Sequence, residues 1–290
     1  MVKSNNVSML KLYSFLLLQA IIFSGFAQNT NKQQRKFKRE VGKYYTPEYL
    51  AFREKISQSF VGTKPGQFGM FVNGTVQDVA TDDKVMAFTF DACIGHTNGY
   101  NADLINYLKQ EKIPATLFIS GLWIDANQAV FRDLATNPLF EIENHGLLHR
   151  LCSLDGETKY GIAPTEDAND VIDEMELNAR KIQGLTGRRP QFFRSATTYT
   201  NESCAKIAGI LGMKIVSFDI LSGDAVPFTP AETIAKTIIE NAKHGAIVIM
   251  HFNHPLWYER KALEIAIPVL RSKGYRFITL ENHPLRNKNE

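Results

Sequence analysis

From Lys84 onward the chain alternates short apolar runs with longer amphipathic stretches, and no other feature limits its fold as much. The runs at Val85–Phe90, Ala115–Ile119, Phe140–Glu143, Gln191–Phe193, Lys214–Phe218, Ala246–His251 and Arg276–Leu280 predict strands. Between them, Asn101–Glu111, Ala126–Thr136, Thr165–Thr186, Asn201–Leu211, Pro230–Lys243 and Glu259–Ser272 predict helices. This order implies an α/β fold with a parallel sheet and helices outside it, either as a barrel or as a doubly wound sheet. No glycine-rich phosphate loop follows any strand, so a nucleotide-binding fold has little support. Chemically capable side chains follow five different strands. That favours an irregular (β/α) barrel with a parallel core of about seven strands, whose chemistry gathers at the strand ends.

The residues before this domain divide in two. Lys3 and Lys11 precede the apolar stretch Leu12–Phe23, and Gly25-Phe-Ala27 supplies small residues three and one before a cut after Ala27. This pattern predicts a signal peptide over 1–27 and a secreted or periplasmic protein with no membrane span after cleavage. An uncleaved anchor is the alternative, but the run is short for a spanning helix. Residues 28–83 read as an N-terminal extension: a polar linker to about Lys43, a helix from Thr46 to Phe60, and loops with a hairpin turn at Asn73-Gly74. Residues 84–290 form the main domain. The formal net charge is only +3, and no Lys/Arg stripe interleaves with aromatics, so nucleic acid is excluded as a partner.

Within the main domain His145-Gly-Leu-Leu-His149 places two histidines four apart, which on one helical turn would point both imidazoles the same way, as a metal site requires. The competing reading is a pair of helix-surface histidines. Asp91 ends the first apolar run and His251 ends the sixth.

Together these residues resemble the polysaccharide deacetylases that share the NodB homology domain, the carbohydrate esterase family 4 type. The resemblance runs from about Lys84 to Leu285. It is carried by Thr89-Phe-Asp91, the His145/His149 motif, Phe193-Arg194, Ser217-Phe-Asp219 and Ile249-Met-His251, in that order. It implies hydrolysis of the N-acetyl or O-acetyl groups of a glycan, an acetylated polysaccharide or peptidoglycan, through a metal-activated water. Such chemistry needs a nucleophilic hydroxide, stabilisation of an oxyanion and an acid for the departing amine. A divalent ion, zinc by default, supplies the first two. The resemblance assigns His145 and His149 as ligands, Asp91 as base or ligand, His251 as general acid, Asp219 as the carboxylate that orients His251, and Arg194 as the partner of Asp91. Asp224 competes with Asp219 for the same role.

Two departures from the family pattern stand out. Where the family has a second aspartate, this chain has Ala92, so either Asp91 stays the base or it becomes the third ligand. Asp224, Glu143 and His96 are candidates for the missing function. Arg194-Ser-Ala-Thr-Thr-Tyr199 also lacks the proline-tyrosine that usually follows the arginine. A catalytically impaired carbohydrate-binding descendant and a hydrolase of another non-peptide C–N bond remain alternatives. His254 and His96 could contact substrate, and Trp123, Trp257 and Tyr258 could stack on sugars or pack in the core or rim. If both motifs face one metal, Cys93 and Cys152 lie near each other, as a disulfide or as two unlinked thiols.

Overall fold

The computed structural model describes residues 34–94 and 99–287. The leader expected over 1–27 and His96 fall outside them. The chain divides into two compact units, one ending at Leu50 and one running from Ala51. Thr46 Oγ1 accepts the Tyr49 backbone N–H at 3.2 Å, and the helix it opens, α1, spans Pro47–Ser57. No helix among the described residues is long and apolar enough to cross a membrane.

The second unit is a nearly closed, mostly parallel barrel. Its strands are β1 (Val85–Ala92), β2 (Ala115–Ile119), β3 (Phe140–Asn144), β4 (Phe192–Phe193), β5 (Lys214–Val216), β6 (Ala246–His251) and β7 (Arg276–Ile278). Parallel ladders join β6 to β1, β1 to β2, β2 to β3, β3 to β4 and β4 to β5. Just after β5, Ile220–Leu221 pairs in parallel with Val248 and Ile249 of β6, which brings the ladder back to its start. The irregularity sits on β1: β7 pairs with Val85–Ala87, while β2 pairs with Thr89–Ala92.

Helices α2 (Ala102–Gln110), α3 (Gly121–Ala126), α4 (Gln128–Thr136), α5 (Ala168–Thr186), α6 (Glu202–Ile210), α7 (Ala231–Glu240) and α8 (Glu259–Ser272) follow the strands. β1 is buried along its whole length. Alternation along a strand sends successive side chains to opposite faces. Met86, Phe88, Phe90 and Ala92 join the apolar layer shared with Leu104 of α2 and Leu263 of α8. Ala87 instead packs with Phe118, Phe192, Val216 and Ile247. Thr89 and Asp91 share the face of Ala87, so β1 delivers a carboxylate to the barrel's interior.

The hairpin expected around Asn73-Gly74 does not form. Gly74 takes a left-handed φ of 85°, but the residues after it pair far away. Thr75–Val76 adds in parallel to β5, and Asp78–Val79 runs antiparallel to β6 and to Leu285–Arg286. Two-residue arms cannot hold a hairpin alone, whereas the barrel offers ready ladder partners.

Candidate active site

The histidine motif is not helical. β3 ends at Asn144, and the next residues form an irregular loop in which Gly146 has φ 80° and His149 φ 57°, both outside the helical region. Asn144 shapes its start: its Oδ1 accepts the Gly146 N–H at 2.9 Å, and its Nδ2 donates to the Met175 carbonyl of α5 at 2.7 Å. The loop still brings both imidazoles together, with ring centroids 4.8 Å apart.

His145 Nδ1 lies 2.8 Å from the Arg194 carbonyl oxygen. A carbonyl only accepts, so Nδ1 carries the proton and Nε2 keeps its lone pair. That Nε2 sits 3.7 Å from Asp91 Oδ2, beyond hydrogen-bond range. Burial pushes the His145 pKa down against the pull of Asp91. Burial and the neighbouring His145 push His149 down to about 3. Both rings therefore present neutral nitrogens at ordinary pH. Among the described residues no three His, Cys, Asp or Glu side chains already converge as a metal cage. Yet donors each about 2.0–2.2 Å from one ion lie within about 4 Å of each other, and the gap between Asp91 and His145 meets that limit. The donor chemistry fits an open ion site built on the two neutral imidazoles of His145 and His149, with the Asp91 carboxylate beside it.

Asp91 is buried against Arg194. Arg194 Nη1 donates to Asp91 Oδ1 at 2.7 Å and to Thr89 Oγ1 at 2.9 Å, and Nη2 donates to the Ser217 carbonyl at 2.9 Å. The guanidinium lies over the Phe118 ring at 4.1 Å from its centroid. Burial would raise the Asp91 pKa, but Arg194, His145 and His251 together hold it below the ordinary carboxylate range. Asp91 is thus ionised.

His251 ends β6, in register beside Asp91 on β1. Its partner is Asp224, not Asp219. Both Asp224 carboxylate oxygens lie 3.3 Å from His251 Nδ1, and Oδ2 accepts the His251 backbone N–H at 2.7 Å. Asp219 instead pairs with Lys243 at 2.9 Å. The reason is local: β5 stops at Val216, and the turn through Ser222 and Gly223, the latter at φ 86°, swings Asp224 back to the strand end. Burial opposes the charge on His251, yet Asp224, with Asp91 and Glu259 behind it, raises the pKa to about 9. The ring is therefore protonated at neutral pH.

Other candidates are placed elsewhere. Glu143 accepts the Phe192 N–H at 2.6 Å, and burial drives its pKa well up, so it does not replace the missing carboxylate. Asp224 is committed to His251. Trp123 is fully buried and donates to the Gly99 carbonyl at 2.9 Å, and Tyr258 packs against the same core. Trp257 stacks on His254 at 3.6 Å between centroids, with its edge toward His251. All three cysteines are free: Asn253 Nδ2 lies 3.7 Å from Cys93 Sγ, while Cys152 packs in a cluster with Cys204. Glu174 of α5, which accepts backbone N–H groups inside the histidine loop, escaped the sequence reading. A lone glutamate in an amphipathic stretch reads as solvent-facing.

A sequence model of the polysaccharide deacetylase family matches residues 78–216, the span that carries β1, the histidine loop and Arg194. Over that span the chain is similar to the polysaccharide deacetylase family. A peptidoglycan-N-acetylglucosamine deacetylase of Bacillus cereus is 26% identical over 205 residues, 70% of this chain and 89% of that protein. A family 4 acetyl xylan esterase from Clostridium thermocellum, solved in complex with a cobalt ion, is 25% identical with a TM-score of 0.55, covering 68% of this chain and 88% of that one. A CE4-family pseudoenzyme from Bacillus anthracis shares the fold at 21% identity and a TM-score of 0.58, covering 69% of this chain and 64% of that one. Against the polysaccharide deacetylase pattern, Ala92 stands where a second carboxylate is expected. Its methyl group lies in the apolar layer between β1 and the helices, on the face opposite Asp91. The stretch after Arg194 lacks the proline-tyrosine of the pattern and instead carries Thr197 and Thr198 at φ of 59° and 63°. Two β-branched residues in the left-handed region mark a strained rim beside the arginine.

Proposed function

We propose that the chain is a metal-dependent deacetylase that releases acetate from the N-acetyl or O-acetyl groups of a glycan of the peptidoglycan class, acting outside the cytoplasm after removal of residues 1–27. The observation that carries this reading is the opposition of two charged pairs, Arg194 with Asp91 and Asp224 with His251, across adjoining strands beside two neutral histidines. The Bacillus cereus relative named for peptidoglycan deacetylation supports the substrate class.

His145 and His149 would hold the ion, with zinc the default and imidazole equally suited to cobalt, nickel or iron. When bound, the ion acidifies a water and polarises the acetyl carbonyl. Asp91 stays ionised through Arg194 and takes the water's proton on Oδ2, the oxygen that faces His145. His251, protonated and held by Asp224 through Nδ1, gives a proton from its other ring nitrogen to the departing amine. Arg194 keeps the base charged and in place, a positioning role. Asp219 has no part in this scheme.

Acetate release from N-acetylated peptidoglycan, chitin oligomers and acetylated xylan, with and without chelator, tests the reading. Chelator-sensitive release from peptidoglycan that His251→Ala suppresses is expected. Binding of those glycans with no release from any would instead favour a carbohydrate-binding descendant, the reading to which Ala92 lends support.

A further inference from the structure

Glu174 lies in the middle of α5, where a carboxylate normally faces water, yet it is 1% exposed. Its Oε1 accepts the backbone N–H of Leu148 at 3.0 Å and of Arg150 at 2.9 Å, the two residues that flank His149. Its own backbone carbonyl accepts the N–H of Leu147 at 2.9 Å. A Cβ on Gly146 would come within 2.3 Å of the same Oε1, so the loop is glycine where the carboxylate closes on it. Arg150 ties the loop's exit to the same helix, donating from Nη2 to Asp170 at 2.6 Å. His149 itself has φ 57° and makes no hydrogen bond among the described residues. Its place is set by the amides on either side of it.

We infer that Glu174 is a positioning residue of the ion site: it grips the backbone before and after His149 and so fixes that imidazole against His145 before any ion arrives. The inference rests on the reading that these two histidines hold the ion. Glu174 touches neither ion nor substrate. One carboxylate oxygen has two lone pairs and satisfies both amides at once. An alanine would leave two buried N–H groups unpaired and the loop free to relax.

The test uses the full chain stripped of metal and titrated with Co²⁺ by visible absorbance, together with amide hydrogen exchange at Leu148 and Arg150. Glu174→Gln keeps an acceptor oxygen and should hold Co²⁺ affinity within about three-fold, whereas Glu174→Ala should weaken it about ten- to a hundred-fold, the range of lost supporting contacts around a metal. Exchange at the two amides should quicken in the alanine variant while exchange in β1 and β6 stays slow. Unchanged Co²⁺ affinity in a folded alanine variant overturns the inference. Should that variant not fold, fast exchange at Leu148 and Arg150 in the wild type, or a hundred-fold loss in the glutamine variant, overturns it equally. A wild-type chain that binds no Co²⁺ refutes the metal reading of the histidines, and the amide exchange then decides whether Glu174 grips the loop.

Discussion

Arg194 has no exposed surface and divides its donors among Asp91, Thr89, Val216 and Ser217. Removing one member of such a buried pair strands the other charge. Arg194→Met should therefore lower the unfolding free energy by about 3–5 kcal/mol, measured by urea denaturation, and a loss under about 1 kcal/mol would mean that Asp91 escapes to water. The His251–Asp224 pair makes a prediction in pH. Its raised folded pKa, about 9, means that the pair's contribution to stability is complete below the unfolded value and is lost as pH rises through about 9. The same proton serves catalysis, so the alkaline limb of kcat/KM should report it. Asp224→Asn removes the stabilising charge and should move that limb to lower pH. An unmoved limb would take the acid's role away from His251. Which carboxylate serves His251 could not be read from the sequence, because Asp219 and Asp224 both follow β5. The choice depends on where the strand stops and how the turn at Gly223 folds, neither of which periodicity encodes. Arg194 was legible through the resemblance of Phe193-Arg194 to the family's arginine motif, which pairs it with Asp91.

At the scale of elements, β1 explains why restoring the family's second aspartate should fail. Position 92 faces the helices, among Phe90 and Ile119, so Ala92→Asp would bury an unpaired carboxylate in an apolar layer. The variant should lose about 3 kcal/mol or more, with no gain in metal affinity, by denaturation and metal titration side by side. Tighter metal binding would show that the strand end can twist to present residue 92 to the site. The strands were readable from their apolar runs, and α8 from its amphipathic period, Pro268 notwithstanding. The histidine loop was not readable as a loop. Four-residue spacing suits a helix equally well, and what forbids one here is Gly146 and the carboxylate of Glu174 arriving from a helix that begins more than twenty residues later. The pairing of Thr75–Val76 with β5 was hidden for the same reason: long-range partners leave no local signal.

Across the whole molecule, the barrel closes through short contacts: β4 has two residues, and Ile220–Leu221 supplies the return to β6. An ion bound by the loop after β3, against the end of β1, would brace one wall of that barrel. A ligand at a hundred times its Kd adds about 2.7 kcal/mol, so chelation should lower the melting temperature by several degrees in the wild type and leave His145→Ala unaffected. Equal shifts in both proteins would place the ion elsewhere. Arg194 carries a final consequence. Its carbonyl orients one imidazole and its guanidinium holds the carboxylate, so two functions hang on a single hinge of backbone. Selection cannot retune them separately. Lineages that loosen this residue should lose the base and one imidazole's orientation in one step, whereas position 92, which Arg194 does not touch, is free to change alone, as it has here.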